Sequence, residues 1–225
     1  MLSLRRRDRR QSYGIETAFA PLIPREMRRE VRERSSPSEV LKAVEPDDVL
    51  TVADGLFKDG AQAILVAFLH SVTCPENERI ALSALRARFP GRFVFASHQI
   101  SDEPTEFERF STVCLNAYVG PKVASYVGRF DQAVSDEGFA HGIQLMQSSG
   151  GMATVASATQ SPVNMLMSGP VAGLIGGIWA GKLSGYDSVV TLDIGGTSAD
   201  IGVAADGQMR MRHLLDTKVG DYQAM

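Results

Sequence analysis

Cysteine is scarce in this sequence of 225 residues, which contains only Cys74 and Cys114. Two cysteines cannot build the disulfide framework of a small secreted domain or a cysteine-rich metal site. We therefore expect both to be buried, reduced thiols, as in a cytoplasmic protein. The four histidines are scattered without the spacing of metal ligands, which argues against a histidine-based metal site.

The chain also lacks a strong charge bias and a long apolar run. A formal net charge of -3 gives no general attraction to nucleic acid or to a membrane surface. The longest apolar candidate, residues 171–181, falls short of the roughly 18 residues that a membrane span needs. Residues 1–10 are rich in arginine but precede no apolar stretch, so they predict a solvated linker and not a secretory signal. A transit peptide or a nucleic-acid arm is the alternative.

What is present is an ordinary globular composition, with 44% hydrophobic and 22% charged residues. Residues 1–45 are charged and punctuated by prolines, and they predict an extended linker. Residues 38–57 have a helical pattern of apolar positions that Asp59-Gly60 ends.

The next segment predicts a parallel sheet. Residues 63–69 form a continuous apolar run, typical of a strand buried on both faces. A helix that opens at Pro75 follows, and residues 92–97 form a second strand. Strand, helix and strand in this order indicate a βαβ unit and an α/β fold.

A long helix and a β-meander complete the pattern. Residues 106–130 read as a helix with Phe107, Phe110, Cys114 and Tyr118 on one face, and we expect Pro121 to kink or divide it. Residues 141–147 predict a short strand. Residues 187–214 predict three strands, with a tight turn at Asp206-Gly207. We expect the α/β region to span residues 46–165 and a second region to span residues 166–225, with the break near 160–187.

The segment 189–200 carries the strongest chemical signal. It reads as a buried strand, a glycine turn and a second strand, with Asp193 and Asp200 on the two sides of the turn. Gly195 and Gly196 leave the backbone open to a ligand, and successive N–H groups in such a turn bind anions. Carboxylates beside an anion site suggest Mg²⁺ carried by nucleotide phosphates. A plain glycine-rich hairpin is the alternative.

Residues 168–181 form a second unusual segment, in which Gly169, Gly173, Gly177 and Gly181 recur every four residues. On a helix they form a strip of bare backbone, with Ser168 as the expected N-cap. Such a strip predicts close packing on the sheet or on another helix. The alternative adds a role for the helix N-terminus, whose dipole favours anions.

Two weaker signals accompany these segments. Residues 148–151, Ser-Ser-Gly-Gly, follow a strand and predict either a backbone-donor loop or an ordinary turn. Glu106, Glu108 and Arg109 begin a helix, where acidic side chains complement the helix dipole. A role in the site is the alternative for these three.

Four segments in order resemble the hydantoinase A / 5-oxoprolinase / acetone carboxylase β-subunit family. They are residues 106–118, 146–151, 168–181 and 193–200, and the resemblance covers nearly all of the chain. It implies an actin-like ATPase fold, shared with sugar kinases, in which two related halves enclose ATP and Mg²⁺. It also implies hydrolysis of a cyclic amide such as hydantoin or 5-oxoproline, or carboxylation of a ketone, together with a hydantoinase B-type partner.

The same resemblance assigns roles to residues of the glycine segments. Asp193 would orient the metal or a water molecule, and Asp200 is a second candidate for that role. The residues expected to bind the nucleotide are Gly195, Gly196, Thr197, Ser198, Ser149, Gly150, Gly151 and Gly169. Ala199 stands where the family commonly has threonine, a change that should preserve the turn.

The family also carries an earlier glycine hairpin and a later adenosine-binding segment, and neither is found in this sequence. The resemblance therefore predicts an actin-like fold incomplete at both ends. It predicts a fragment of an enzyme with little turnover alone, and an inactive truncated product is the non-enzymatic alternative.

Overall fold

The computed structural model describes residues 22–196 and 199–209, together with the backbone of two short strands within 218–223. The chain divides into two compact units. The first comprises residues up to 121 with 214–225, and the second comprises residues 122–213. The boundaries expected at residues 45 and 165 remain a prediction.

The first unit begins with a 3-10 helix at Arg25–Met27 and an antiparallel pair of short strands, β1 at Arg34–Ser35 and β2 at Val40–Lys42. Helix α1, Pro46–Lys58, follows. The helix expected from residue 38 is therefore wrong in its first part. Proline disfavours a helical conformation in the residue before it and suits the first helical turn itself, so the helix can start only at Pro46.

The predicted βαβ unit is confirmed. Strands β3, Ala63–Val66, and β4, Phe93–Ala96, pair in parallel and are connected through α2, Glu76–Arg88. Apolar side chains from α1, α2 and both strands form one buried core, with Ala81, Leu85 and Ala96 completely inaccessible. A single helical turn, α3 at Ser97–Ile100, leaves the end of β4.

A 31-residue helix, α4, spans Glu106–Asp136. It is continuous through Pro121, so the expected division does not occur, and the alternative of a kink at this residue stays a prediction. Phe110 and Cys114 are buried as predicted, whereas Tyr118, one turn further along the helix, is exposed. Among the helices of the described residues, none combines the length and apolar character that crossing a bilayer requires.

The second unit begins with a β-hairpin and two short helical segments. The Thr154 hydroxyl accepts a hydrogen bond from the Ser157 N–H at 3.2 Å and thereby caps α5. The long glycine-rich helix α6 comes next. The elements are β5, Gln144–Met146; β6, Met152–Thr154; α5, Val155–Gln160; a 3-10 helix, Pro162–Met165; and α6, Ser168–Leu183.

The predicted meander is confirmed as an antiparallel sheet of β7, Val189–Ile194, β8, Ala199–Ala205, and β9, Gln208–Met209. Asp206 and Gly207 both have positive φ, 53° and 69°, as the tight turn between β8 and β9 requires. One further antiparallel pair, β10 at Lys218–Val219 and β11 at Tyr222–Gln223, lies in the chain segment of the first unit.

The two faces of the β7–β8 sheet differ. Helix α6 packs on one face through Thr191 and Val189. The other face exposes five large apolar side chains, each 60–71% accessible: Val190, Leu192, Ile194, Ile201 and Val203.

Candidate functional site

Asp193 and Asp200 lie directly opposite each other in the β7–β8 ladder. The next rung pairs Ile194 with Ala199, and the glycine turn begins beyond it at Gly195. Asp193 is exposed and Asp200 is half-buried. Since directly paired residues in an antiparallel ladder project from the same face, the two predicted carboxylates form a pair beside the turn.

The turn itself is only partly described. Gly195 and Gly196 are exposed, and a Cβ on Gly196 would meet nothing within 4 Å. That open surface leaves room for a ligand to approach the backbone, and the predicted binding of a ligand there stays a prediction. Thr197 and Ser198, the two hydroxyl residues expected to bind phosphate, lie outside the described residues.

The carboxylate pair shares the face of the sheet that α6 covers. Side chains alternate along a strand, so Asp193 projects on the same side as Thr191, and Thr191 lies against Gly177 of α6. The exposed apolar residues project from the opposite side. The alternation therefore places both predicted charged groups on the helix-bearing face.

Helix α6 is directed with its N-terminus toward the glycine turn. Gly177 lies against Thr191, and Gly181, one turn further along the helix, lies against Val189. The residue numbers rise along α6 while they fall along β7, so the helix and the strand run antiparallel. The spacing of the two contacts agrees, since four helical residues advance about 6 Å and two strand residues about 6.6 Å. The preceding turns of α6 therefore extend toward the end of β7 that carries Asp193.

The start of α6 differs from the prediction in its cap. The N-cap residue is Met167, in the left-handed conformation with φ 62°, and Ser168 is already the first helical residue. The expectation of Ser168 as N-cap is thus wrong, because the turn at Met167 directs the chain into the helix one residue earlier. The first turn contains no acidic residue, so nothing in it offsets the positive end of the helix dipole. A Cβ on Gly169 would meet nothing within 4 Å.

The loop of residues 148–151 lies beside the same half of α6. Gly150 has φ 83°, and a Cβ on it would come within 3.2 Å of Ile175 and 2.8 Å of Met209. The loop is also the turn of the β5–β6 hairpin, in which the N–H groups of Ser148 and Gly150 donate to Asn164 and Gln147 carbonyls. The Gly150 N–H therefore closes the turn, and the Ser148 N–H ties the loop to the 3-10 helix.

These residues suit magnesium held by a nucleotide. Mg²⁺ in such sites takes one or two carboxylates and completes its shell with phosphate oxygens and water. The Asp193–Asp200 pair supplies two carboxylates, and no group of three or more His, Cys, Asp or Glu side chains forms a metal cage within residues 22–196 and 199–209. A magnesium ion at this pair would complete its shell with phosphate oxygens of the ligand and with water.

A second polar cluster, absent from the sequence-based expectations, lies in the first unit at the carboxyl ends of β3 and β4. Its centre is Glu78, which is completely buried. One carboxylate oxygen accepts from the Phe68 N–H at 2.8 Å and the Ser97 hydroxyl at 2.6 Å, and the other accepts from the His98 N–H at 2.9 Å. His98 Nδ1 lies 2.7 Å from that second oxygen. Burial raises the pKa of Glu78, but the hydrogen bonds from His98, Ser97 and Phe68 outweigh it and hold this pKa below its usual value.

Arg109 completes this Glu78 cluster. Its guanidinium donates to the Ser97 hydroxyl at 3.1 Å and to the carbonyls of Glu103 and Phe68 at 2.8 and 3.2 Å. Burial lowers the pKa of Arg109, and the Glu78 carboxylate opposes that shift. Glu106 lies in the first turn of α4, as the helix-dipole interpretation expects. Arg109, however, is a completely buried element of the Glu78 cluster.

Sequence reasoning could have found this cluster from the position of its members. Ser97 and His98 directly follow a buried parallel strand, and His70, with φ 61°, follows the other. Ligands of open parallel sheets bind beyond the carboxyl ends of the strands. The spacing of the residues along the chain did not reveal the cluster, because Glu78 and His98 are 20 residues apart.

Comparison with known proteins finds relatives whose names describe ATP-dependent enzymes. It is 28% identical to the caprolactamase subunit alpha of Pseudomonas jessenii over 92% of the chain and 30% of that relative. The solved structure of that ATP-dependent caprolactamase matches with a TM-score of 0.74 and 29% identity, covering 88% of this chain and 29% of that one. The nucleotide-free structure of acetone carboxylase matches with a TM-score of 0.76 and 26% identity, covering 92% and 29%.

The 5-oxoprolinase of Saccharomyces cerevisiae is 30% identical over 79% of the chain and 14% of its own length. The chain thus spans less than a third of the length of these relatives. The two structural matches confirm the predicted α/β fold of the actin-like ATPase type, of which the chain forms a part.

Two sequence models of one family match successive regions. The model described as Hydantoinase/oxoprolinase N-terminal region matches residues 1–89, and the model described as Hydantoinase/oxoprolinase matches residues 109–223. The second match alone covers half of the chain and includes the carboxylate pair and α6. The chain therefore belongs to the hydantoinase/oxoprolinase family.

Proposed function

We propose that this chain supplies part of the Mg-ATP site of an enzyme that hydrolyses a cyclic amide of the hydantoin, lactam or 5-oxoproline type. The observation that carries the proposal is the pairing of Asp193 with Asp200 beside a glycine turn toward which α6 is directed. The names of the caprolactamase and 5-oxoprolinase relatives support the substrate class.

In this proposal, Gly195, Gly196, Thr197 and Ser198 contact phosphate through backbone N–H and hydroxyl groups. The positive end of α6, at Gly169, adds to the attraction for anions. ATP, when bound, supplies a phosphoryl group that activates the amide oxygen. The chain's contribution is to position the phosphates and neutralise their charge.

The carboxylates have separate roles. Asp193 holds the metal ion or orients its water shell, and Asp200, its partner across the ladder, assists. We assign Ser149, Gly150 and Gly151 to the wall of the nucleotide site, since this loop lies beside the same half of α6.

A carboxylase is the second candidate, because the acetone carboxylase structure matches 92% of the chain. The same ATP chemistry would then activate a ketone for reaction with bicarbonate. For either candidate we propose a partner subunit of the hydantoinase B type, since the caprolactamase relative is itself named as a subunit, and we place the enzyme in the cytoplasm.

Calorimetric titration with Mg-ATP of the whole enzyme to which this chain contributes tests the nucleotide site. Asp193→Asn should weaken binding about tenfold or more, which corresponds to about 1.4 kcal/mol, and chelation of Mg²⁺ should have a similar effect. Asp206→Asn is the matched control: it removes the same charge at the opposite end of β8, and asparagine tolerates the positive φ found there. Equal affinities of the two variants would remove Asp193 from the site.

Phosphate release by the whole enzyme in the presence of ATP separates the two candidate reactions. Stimulation by ε-caprolactam, hydantoin or 5-oxoproline without bicarbonate supports the hydrolase. Stimulation by a ketone only when bicarbonate is present supports the carboxylase.

A further inference from the structure

We propose that a cavity in the first unit binds an uncharged, mainly apolar small molecule. The cavity has a volume of about 370 Å³ and lies between the core of this unit and residues 23–31, which we call the strap. Its described lining residues all belong to the first unit. The inference goes beyond the proposed nucleotide site and does not depend on it, because the residues assigned to that site lie in the second unit.

The inner wall of the cavity is apolar. Helix α1 contributes Val49, Val52, Ala53 and Leu56, which share one face because they are spaced by three and four residues. The described lining residues from β3, α2 and α4 are likewise aliphatic or aromatic. An apolar molecule that enters this space leaves water for hydrocarbon surroundings, which is the main favourable term in its binding.

The strap is held in place at both sides of the cavity, so its wall is formed in advance. Arg29 Nη2 lies 3.1 Å from a carboxylate oxygen of Asp59, the residue that ends α1. Just beyond the strap, the buried Asn77 amide donates to Glu33 Oε2 at 2.9 Å and to the Lys42 carbonyl at 3.0 Å. Small-molecule sites are usually preformed in this way, because ordering the site during binding would lower the affinity.

The charges around the cavity favour an uncharged ligand. Among the described lining residues, the charged ones are Arg28, Arg29 and Glu30, all in the strap. Neither arginine is free, since Arg29 pairs with Asp59 and Arg28 has a partner of its own. Glu30 is exposed and therefore solvated. A charged ligand would lose water here without gaining a counter-charge, and that loss is costly.

The volume suits a small molecule. Ligand sites commonly measure about 300–1,000 Å³, and the cavity lies within that range. Protein interiors otherwise contain few voids larger than a water molecule, because the lining of a void loses dispersion contacts. A helix or a second copy of the chain would have to displace the anchored strap, whereas a small molecule fits beneath it.

Methyl carbon-13 NMR of the full 225-residue chain tests the inference, with benzene as the uncharged probe and benzoate as its charged counterpart. Benzene should shift the methyl resonances of Met27 in the strap and Ile64 in β3 with one shared dissociation constant. Benzoate should bind at least tenfold more weakly. Benzoate binding as tight as that of benzene, or a benzene response confined to the exposed Ile201 of the second unit, would overturn the inference.

Two variants fill the cavity from different sides. Val52→Phe adds a ring from α1, and Ala67→Leu adds a side chain just after β3. Each should weaken benzene binding at least tenfold, and circular dichroism identifies the variants that remain folded. Thr51→Phe is the matched control, because threonine has nearly the shape of valine and Thr51 is exposed on the same helix. Binding like that of the parent in a folded cavity-filling variant would contradict the proposal.

The same titration in the whole enzyme to which this chain contributes decides between a small molecule and a protein segment as the occupant. Met27 and Ile64 should respond to benzene there as well. Loss of their response would show that another segment fills the cavity and would overturn the proposal. A dependence of these resonances on chain concentration without benzene would assign the cavity to a second copy, with the same consequence. Mg-ATP binding that depends on Asp193 is unaffected by either outcome, so the two proposals can fail separately.

Discussion

Gly177 of α6 lies directly against the Thr191 side chain of β7, and a Cβ at this position would overlap that side chain. Gly177→Ala should therefore lower stability. Overpacking costs about 1–3 kcal/mol, and the gain in helix propensity offsets roughly 1 kcal/mol of it. We expect the melting temperature to fall by several degrees, measured by circular dichroism.

Gly173 provides the control in the same helix, since a Cβ there would meet nothing within 4 Å. Gly173→Ala should keep the propensity gain of roughly 1 kcal/mol without a clash, so its melting temperature should rise. If both variants changed stability in the same direction, close packing of α6 on β7 would not explain the choice of glycine at 177.

Glu78 should make the chain sensitive to acid. Its hydrogen bonds hold the folded-state pKa below the usual value of 4.5, although burial opposes them. A folded pKa below the unfolded one contributes stability at pH values above the unfolded pKa, and that contribution disappears as the pH falls through the folded pKa. Glu78→Gln should cost on the order of 3 kcal/mol near pH 7, because Arg109 loses its buried counter-charge.

Denaturant unfolding between pH 7 and pH 3 measures this contribution. The stability difference between the parent and Glu78→Gln should shrink as the pH falls. Glu39→Gln is the control and should show no such trend, because Glu39 is exposed and its hydrogen bonds within the described part of the chain run through its backbone. A difference that stays constant down to pH 3 would contradict the assignment of an ionised Glu78.

Both thiols should resist modification in the folded chain. Cys74 and Cys114 are free and buried, as the sequence predicted, and burial raises the pKa of Cys114 to about 12. Since the thiolate is the reactive form, Ellman's reagent at pH 8 should titrate both thiols only after denaturation. If the folded Cys74→Ser variant reacted rapidly with Ellman's reagent, Cys114 would lie on an accessible surface.

The exposed face of the β7–β8 sheet should limit solubility. Leu192 and Ile201 are cross-strand partners on that face, and each is more than half exposed. Contiguous apolar patches of this kind promote association, whereas single exposed residues do not. The double variant Leu192→Thr/Ile201→Thr keeps strand propensity and should reduce concentration-dependent light scattering.

Leu41→Thr serves as the comparison, because Leu41 is equally exposed but lies in the first unit on a short strand. It should leave the scattering unchanged. Equal effects of the two variants would mean that total exposed hydrophobicity, and not the patch, limits solubility.

The sequence predicted well those elements that a local pattern decides. The apolar runs 63–69 and 92–97 predicted the parallel pair, because a strand buried on both faces needs apolar residues at successive positions. Asp206-Gly207 predicted the hairpin turn, because few residue types accept the positive φ that such a turn requires. The helix expected over residues 38–45 does not form, because β2 lies there and pairs with β1. The apolar pattern of this segment did not distinguish a helix from a strand.

The strand pairing at the candidate site was predictable for the same reason. Asp193, Asp200 and the glycines between them are neighbours in sequence, so their pairing followed from a hairpin. Arg109, by contrast, bonds the carbonyl of Phe68, 41 positions away. No local spacing encodes such a contact, and the buried cluster became visible only when the strand ends were brought together.

The alternation along β7 and β8 ties the carboxylate pair to the apolar face. Because side chains change sides at every residue, a one-residue insertion in either strand would break the pairing of Asp193 with Asp200 and turn aliphatic residues toward α6. The bare surface of Gly177 and Gly181 would then face side chains that it cannot accommodate. Variation in these two strands is therefore restricted to substitutions, while changes in length can occur only in the turns.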